Sequence, residues 1–527
     1  MVFFKKIWLL GPVLLLLLGC RKSTNANWDV DVVLPVVNSV LDIKNFVGDS
    51  LFKTDKNGLM TLSIHRQIAY IKLDSLLNLP DTTFISKFTN TVFPIGLQPG
   101  DSFTNAPITE LSFNVGTGIE LKRVDIRQGL LHIKFSNDLS QPLDIRYVIA
   151  NATKYGPLVI TETIPPGQNS LVKEYDLSGY SLNMQGISGN KFNTISQAYT
   201  LALNPAATSS VTIFIGQGAA LELGYSEIIP QYAEGYFGNQ SVNLALDTAR
   251  VGLVKNFKAS NFLLSDATMN FSIINEFGAE FRGNLTNVKS INTPDNKLIQ
   301  LNNSHLSSIN INPASKNGSV ISSSTTVLSF NTANSNITSF ISNLPDKLTY
   351  QGQIDLNPNQ NHRGWSDFAF YNTGIKILAD INIPLRYTAN YFRLNTNSVT
   401  DFSSVSQLDK VNYGRFVIFA TNGFPFNASL QAYMYNDQNL VIDSLLTFDA
   451  NTIMAGAVDY YNVVQTPTAS KLIISMDKAK IENLKKCKSI KVVSNFIMPV
   501  NPPEIKILDS YQISVNIVAE VNYNVGL

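Results

Sequence analysis

The chain has 527 residues, of which 44% are hydrophobic and 15% are charged, and its formal net charge is +1. A chain of this length predicts about three or four domains with ample apolar material for their cores. Near neutrality without a basic tract argues against nucleic acid as a partner and against electrostatic attachment to a membrane, because both depend on clustered Lys and Arg.

The amino-terminal segment is typical of a bacterial lipoprotein precursor. Lys5 and Lys6 precede an apolar run over 7–18, which is too short to cross a bilayer, since a spanning helix needs about 20 apolar residues. The run ends in Leu-Leu-Gly and then Cys20, which resembles the bacterial lipobox, in which the cysteine receives a diacylglycerol and cleavage occurs just before it. We therefore expect residues 1–19 to be a signal peptide and Cys20 to carry diacylglycerol and a further acyl chain such as palmitate. The alternative is an ordinary secretory signal with a chance cysteine.

Strand patterns occupy most of the remaining chain. Segments 130–135, 210–215 and 511–518 alternate or run apolar over strand lengths, are rich in β-branched and aromatic residues, and are bounded by Asn, Gly, Pro and Ser. Only the region around 334–341 and the stretch 476–487 are typical of helices. Because half-buried alternating strands must pack face to face, the sequence predicts an all-β fold of tandem antiparallel β-sandwich domains with a few short helices.

Self-comparison indicates an internal repeat. Strand-like segments end at Asn137, Asn275 and Asn422, and each Asn is followed two residues later by Leu or Phe. Asn is a suitable strand terminator because it tolerates a left-handed backbone and bonds its own backbone in turns. The spacing of these asparagines is that of whole domains and not of short solenoid units. The predicted organisation is a tether at 20–45, a small β-rich segment at 46–99, and β-sandwich repeats at 100–237, 238–382 and 383–527.

Patterns of catalytic or metal-binding residues are missing from the sequence. The four histidines are distant from one another and from the cysteines, so no zinc spacing exists, and no Gly-x-Ser-x-Gly elbow is present. A glycosidase pair of carboxylates could still assemble in three dimensions. We expect no enzyme activity, no metal, and no cofactor other than the covalent lipid on Cys20. Cys487 is expected to be a small buried residue of a helix and not a reactive thiol.

Aromatic residues supply the candidate contact sites. Trp365 lies in the polar segment 361–367, where an exposed indole could stack on a sugar or anchor a partner, or could instead cap a core at a domain edge. The pair Tyr460 and Tyr461 is open to the same alternatives.

The lipobox, the segment 28–35 (WDVDVVLP) and the Asn-rich, Tyr-rich β composition together resemble outer-membrane lipoproteins of the Bacteroidota, of the large, tandem β-domain type. In the last repeat, 422–425 (NGFP) and 441–445 (VIDSL) are similar to a recurring module of those lipoproteins. The resemblance implies a location in the cell envelope. It also implies a role as a non-catalytic accessory subunit of an outer-membrane β-barrel machine, or as a surface glycan binder.

Two further features of that phylum can be compared with this chain. Tripeptides similar to its periplasmic O-glycosylation site place candidate acceptors at Ser50, Ser75, Thr82, Thr248 and Ser444. Its surface-export signal is acidic just after the lipidated cysteine, whereas residues 21–23 here are Arg-Lys-Ser. This departure favours the periplasmic face of the outer membrane over the cell surface.

These observations leave three hypotheses about function. The leading one is a non-enzymatic outer-membrane lipoprotein that acts as a structural or docking subunit of an outer-membrane β-barrel complex and is held at the bilayer by Cys20. The first alternative is a glycan-binding lipoprotein that uses exposed aromatics such as Trp365. The second alternative is a lipid carrier with an apolar groove between its sheets.

Overall fold

The computed structural model describes residues 27–44, 51–72, 79–103, 108–167, 170–250, 258–399, 410–446, 451–498 and 503–526. Three predicted modification sites, Cys20, Ser50 and Ser75, lie outside these ranges. The chain is all-β, as the alternating strand patterns predict. Across the described ranges, no helix has both the length and the apolar character that crossing a membrane would require.

The strands are numbered here in chain order. The first group is β1 (Asn27–Asp42), β2 (Phe52–Thr54), β3 (Met60–Lys72), β4 (Thr82–Thr89), β5 (Ile95–Leu97), β6 (Ser102–Phe103) and β7 (Thr109–Ser112). The second group is β8 (Glu120–Asn137), β9 (Leu143–Thr153), β10 (Pro157–Ile164), β11 (Ser170–Asp176), β12 (Ser181–Asn183), β13 (Thr194–Leu203), β14 (Val211–Ile213) and β15 (Gly218–Tyr236).

The third group is β16 (Gln240–Arg250), β17 (Lys258–Ser260), β18 (Leu263–Leu264), β19 (Thr268–Asn275), β20 (Phe281–Asn292), β21 (Lys297–Gln300), β22 (Ile309–Ile311), β23 (Ser315–Asn317), β24 (Val320–Ser322), β25 (Ser324–Phe330), β26 (Lys347–Leu356), β27 (Asp367–Phe370) and β28 (Gly374–Pro384). The last group is β29 (Arg386–Thr388), β30 (Tyr391–Val399), β31 (Val411–Asn422), β32 (Ala428–Tyr435), β33 (Val441–Ser444), β34 (Thr452–Ile453), β35 (Ala457–Val458), β36 (Val464–Thr466), β37 (Thr468–Met476), β38 (Ser489–Ile497), β39 (Ile505–Lys506) and β40 (Gln512–Gly526).

Helix is confined to short segments in the described ranges. Both predicted helical regions are confirmed, as α1 (Ile337–Ser342) and α2 (Lys478–Lys485), and a 3-10 turn covers Ser304–Ser307. Asp477 caps α2, because its side chain accepts the backbone N–H of Lys480. The strand predicted over 210–215 is shorter than expected, since β14 ends at Ile213 and the next two apolar residues lie in a loop.

Three sets of four strands share one order and are antiparallel throughout, and the first set is part of an 11-stranded sheet. They read β4-β15-β8-β11, β3-β28-β19-β25 and β1-β40-β31-β37. In each, the strand that ends in one of the predicted asparagines has a partner on both sides. The first member of each set is an amino-terminal strand, and the assignment runs backwards: β1 joins the last repeat, β3 joins the second, with β2 on its other side, and β4 joins the first.

A second group of strands repeats in the same way, and its first copy belongs to the same 11-stranded sheet. β9 lies between β10 and β13, β20 lies between β26 and β21, and β32 lies between β38 and β33. Burial alternates strictly along strands such as β19. Met269, Phe271, Ile273 and Asn275 are buried, and the residues between them are partly exposed. This alternation places one face of each sheet in a core, which fixes the strand register.

Contacts divide the chain into two compact units. Unit 1 comprises Met1–Met60, Val254–Leu263 and Leu385–Leu527, and unit 2 comprises Thr61–Leu253 and Leu264–Pro384. The predicted boundary at 382/383 lies beside the change of unit after Pro384.

The other predicted boundaries, at 99/100 and 237/238, fall inside unit 2. One physical reason why these two boundaries do not separate compact units is that β27 pairs with β15, so that strands from the first and second predicted repeats share a sheet. Another is that Leu121, Phe237, Phe281 and Leu356 belong to a single buried cluster. Within the segment 46–99, β3 and β4 pair with strands β28 and β15 of unit 2.

The three predicted asparagines end β8, β19 and β31 and are fully buried. Each Oδ1 accepts the N–H of the residue two positions later, at 2.8, 2.9 and 2.9 Å. Each Nδ2 donates to the carbonyl four positions later, at 2.8, 3.1 and 2.8 Å. The residues two positions after the asparagines are buried apolar side chains, as expected: Leu139, Phe277 and Phe424. Each asparagine therefore satisfies backbone groups that would otherwise be buried without partners.

Replacement of Asn275 by Ala should lower the free energy of unfolding of this protein by about 2–4 kcal/mol, since buried backbone groups lose their partners. Urea denaturation of the two proteins measures the difference. The control is Asn317→Ala on the exposed strand β23, which should change the same quantity by less than about 0.5 kcal/mol. Equal effects of the two substitutions would contradict the structural role of the buried amide.

Candidate functional site

The hairpin formed by β35 and β36 is fixed at its base to the end of strand β31. Asn422 Nδ2 donates to the carbonyl of Met454 at 3.0 Å, and the N–H of Gly456 donates to the carbonyl of Phe424 at 2.9 Å. A side chain at Gly456 has little space, because a Cβ there would lie 2.6 Å from Cγ1 of Val464. The buried asparagine therefore positions the start of this hairpin.

Tyr460 and Tyr461 lie in the turn of this hairpin, which we call the tyrosine hairpin (457–466). Their side chains are 92% and 74% exposed, and the rings meet edge to face with centroids 5.4 Å apart. Asp459 Oδ1 accepts the N–H groups of Tyr461 and Val463, both at 2.9 Å. The turn is therefore ordered by local hydrogen bonds while its aromatic rings remain available, so that binding would require little ordering of the backbone.

In the second repeat, the same arrangement of a buried asparagine followed by a hairpin, which we call the shared frame, carries different side chains. Asn275 Nδ2 donates to the carbonyl of Asn312 at 2.8 Å, and the N–H of Ala314 donates to the carbonyl of Phe277 at 2.8 Å. A hairpin, β23–β24, follows at once, as β35–β36 follows in the last repeat. Its sequence over 315–322 is SKNGSVIS, without an aromatic residue. The exposed tyrosine pair therefore belongs to the loop and not to the shared frame.

Trp365 is half-buried and engaged within unit 2. Its ring stacks on Phe192 with centroids 5.0 Å apart and an interplanar angle of 19°, and its indole N–H donates to Glu120. His362 lies beside the same ring, at 5.3 Å between centroids. These contacts match the packing alternative, and sugar stacking by Trp365 stays a prediction.

The backbone of the loop that carries Trp365 is unusual. Five residues have φ between 46° and 67°, in the left-handed region: Asn357, Gln360, Arg363, Gly364 and Trp365. Non-glycine residues adopt this conformation at a cost in energy and keep it where their surroundings impose it. The loop 357–367 therefore needs strong local contacts to hold its shape.

Asp367 supplies several of those contacts. Its buried Oδ2 accepts the N–H of Phe237 at 3.1 Å and the side-chain amide of Asn357 at 2.7 Å. Arg363 Nη1 lies 3.6 Å from Oδ1 of the same carboxylate. Burial raises the pKa of Asp367 above its ordinary value of 3.8, and the two hydrogen bonds and the Arg363 charge offset part of that effect.

The raised pKa of Asp367 predicts a specific pH dependence of stability. Above pH 3.8 the unfolded chain loses this proton before the folded chain does, so the contribution of Asp367 to stability falls as pH rises through its folded-state pKa and then levels off. Asp367→Asn removes the titration. Urea denaturation from about pH 3.5 to about pH 7 should therefore show the unfolding free energy of the native protein falling relative to the variant. Parallel curves would contradict the assignment.

A polar groove lies beside this loop in unit 2. Its volume is about 850 Å³, and its walls carry hydroxyl, amide and charged side chains, among them Lys122, Arg123, Asp125, Thr153, Lys154, Ser181, Asn183, Gln231 and Glu234. Lys122 Nζ donates to the carbonyl of Gly364 at 2.9 Å, which joins the groove to the loop. Arg123 pairs with Asp125 at 2.8 Å, and this hydrogen bond raises the pKa of the guanidinium. Such a surface offers donors and acceptors to a hydroxyl-rich ligand.

The groove was missed by sequence reasoning, because its walls come from β8, β9, β12 and β15, which are distant along the chain. The local signal that could have pointed to it is the charged run 122–125 in β8.

A small apolar cavity lies beside Tyr225 and is lined also by Phe113, Val124 and Ile228. Its volume is about 30 Å³. This space is of the order of a water molecule and does not accommodate an acyl chain.

The candidate glycosylation residues in the described ranges lie in paired strands. Thr82 begins β4, and Thr248 pairs with Thr349 of β26. Ser444 ends β33, and its carbonyl accepts from Lys480 Nζ of helix α2 at 2.7 Å. Glycosylation at these positions stays a prediction.

Among the described residues, no group of three or more His, Cys, Asp or Glu side chains is placed to hold a metal ion. Cys487 is fully buried, as expected, and its thiol donates to the carbonyl of Ser489 at 3.3 Å.

Comparisons with known proteins give distant structural likenesses. No family model matches the chain, and no curated protein matches it. Among solved structures, a protein of Parabacteroides distasonis assigned as secreted is 8% identical with a TM-score of 0.26, and the likeness covers 94% of this chain and 99% of that one. That organism belongs to the Bacteroidota.

Two viral structures are also similar over much of their length. The triple jelly roll protein of an archaeal virus is 11% identical with a TM-score of 0.10, covering 82% of this chain and 91% of that one. A structure of infectious bursal disease virus is 7% identical with a TM-score of 0.09, covering 91% and 82%. At these scores the likenesses carry no argument about function.

Proposed function

We propose that this protein is a non-enzymatic lipoprotein of the outer membrane that docks on a β-barrel membrane protein through the tyrosine hairpin. The lipobox motif supports the anchor, at Cys20, and the basic residues that follow it support the periplasmic face. The docking role is carried by one observation, the exposed pair Tyr460 and Tyr461 on an ordered turn.

The chemistry of the tyrosine hairpin suits a protein partner. Each tyrosine offers a large apolar ring and one hydroxyl, which is the combination enriched at the centres of protein interfaces. Burial of these two adjacent rings against a partner would contribute about 1.5–3 kcal/mol for each ring. Asp459 and the buried Asn422 hold the hairpin in one conformation, so that little entropy is lost on docking.

The test is a pull-down of the tagged full-length protein from native membranes in mild detergent. A β-barrel protein should be recovered in stoichiometric amount. Tyr460→Ala with Tyr461→Ala should weaken recovery by at least about tenfold, which corresponds to a loss of roughly 1.4 kcal/mol.

The matched control is Tyr155→Ala, since Tyr155 is 100% exposed but lies elsewhere, in unit 2. This variant should recover the partner as well as the native protein does. A native protein that is purified alone, or recovery that survives the double substitution, would refute docking through this hairpin.

A second function, glycan binding, is favoured by the polar groove. Arg123 lies on the wall of the groove, where its planar guanidinium can donate hydrogen bonds. The guanidinium lies 5.6 Å from the ring centroid of Tyr232. The Tyr232 ring itself is buried, so the groove offers a sugar hydrogen bonding through Arg123 and its polar neighbours. The groove, and not the engaged indole of Trp365, would then be the main sugar contact.

A glycan array with the full-length protein tests this alternative. Arg123→Ala should lower glycan affinity by about tenfold, as expected when a charged hydrogen bond is lost. Arg415→Ala is the matched control, because Arg415 is also an exposed strand residue paired with a carboxylate, that of Glu520. Equal affinity of the two variants, or no binding by the native protein, would count against the groove.

A further inference from the structure

Four large apolar side chains form an exposed tip on unit 2. Val92 and Phe93 are 58% and 64% exposed, and Phe214 and Ile215 are 56% and 63% exposed. We refer to these four residues as the apolar tip. Most large apolar residues of a folded chain are buried, so a cluster of this kind indicates a surface that meets another apolar phase.

Paired strands on both sides bring the two loops of the tip together. Thr89 of β4 pairs with Gly218 of β15 at one end, and Ile95 of β5 pairs with Ile213 of β14 at the other. The loops 90–94 and 214–217 lie between these two pairs of strand residues. They therefore lie side by side, although they are more than a hundred residues apart in the sequence.

A buried asparagine joins the two loops. Asn90 is fully buried, and its Nδ2 donates to the carbonyls of Phe93 at 2.6 Å and Ile213 at 2.9 Å. Its Oδ1 accepts the N–H of Val92 at 3.1 Å, and its own N–H donates to the carbonyl of Gln217 at 2.9 Å. Backbone groups close to the tip are thus satisfied within the protein.

Gln217 completes this pattern on the second loop. Its side-chain oxygen accepts the N–H of Phe214 at 3.1 Å, and its N–H donates to the carbonyl of Phe214 at 3.1 Å. Internal satisfaction of backbone groups matters most in hydrocarbon, where an unsatisfied N–H or C=O costs several kcal/mol.

Charge is also missing from the sequence around the tip. The segments 88–100 and 203–221 contain no Asp, Glu, Lys, Arg or His. Protein interfaces usually have a polar, partly charged rim, whereas the interior of a bilayer excludes charge strongly. Apolar side chains, several internally bonded backbone groups and two loops without charged residues together match a lipid phase better than a protein surface.

We infer that the apolar tip inserts into the acyl region of a lipid bilayer and forms a membrane contact separate from the lipid on Cys20. The inference does not rest on docking through the tyrosine hairpin. Each inserted side chain strengthens binding in proportion to its apolar area, and anionic headgroups are not needed.

The experiment uses the full-length protein with a fluorescent label at Thr91→Cys, next to the tip, or at the fully exposed Tyr155→Cys as a control. The buried Cys487 does not compete for the label. Phosphatidylcholine vesicles with nitroxide on their acyl chains serve as the probe. Quenching should be several-fold stronger at 91 than at 155, and unchanged by added salt.

Substitution of the tip provides the second arm. Phe93→Ser with Ile215→Ser should weaken vesicle contact by about tenfold for each side chain, and Phe93→Leu with Ile215→Leu should retain it. Both residues are exposed, so the core is unchanged, and thermal unfolding verifies this. Equal quenching at 91 and 155, quenching that survives the serine pair, or shielding of the label by a protein partner alone would overturn the inference. Mass spectrometry of the same sample reports acylation of Cys20 independently.

Discussion

Buried backbone groups must find hydrogen-bond partners, and in this protein buried asparagine side chains supply them where the chain leaves its sheets. Asn137, Asn275 and Asn422 make the same pair of local bonds at the ends of three central strands. Each bond pattern turns the chain so that the next apolar side chain enters the core. Asn90 similarly bonds backbone groups of two loops that lie side by side. An amide suits these places because one side chain both donates and accepts.

The shared frame leaves its hairpin free to differ between repeats. After the asparagine of the second repeat the chain presents a hairpin without aromatic residues, whereas after Asn422 the equivalent hairpin presents two tyrosines. Loops can change in this way because their exchange leaves the buried amide and the sheets intact. The tyrosine hairpin, the polar groove and the apolar tip are all built from loops or strand ends on such frames. The proposed functions therefore rest on surface segments and not on the sandwiches themselves.

Local features of the structure could be predicted from the sequence, and distant ones could not. The alternating strands, helices α1 and α2, the asparagine turns and the burial of Cys487 depend on neighbours within a few residues, and all were predicted. The pairing of β1 with β40 has no local signal, because edge strands of similar composition can pair with many partners. The same holds for the stacking of Trp365 on Phe192. Periodicity also did not distinguish the exposed Phe214 from a core residue.

The backward assignment of the first strands has a consequence for biogenesis. A ribosome makes β1 early and β40 late, so β1 waits for its partner through most of translation. During that time β1 is an unpaired edge, a template on which other chains can aggregate. Such long-range pairing also slows folding. The sheet that contains β1 therefore closes only after β40 has been made.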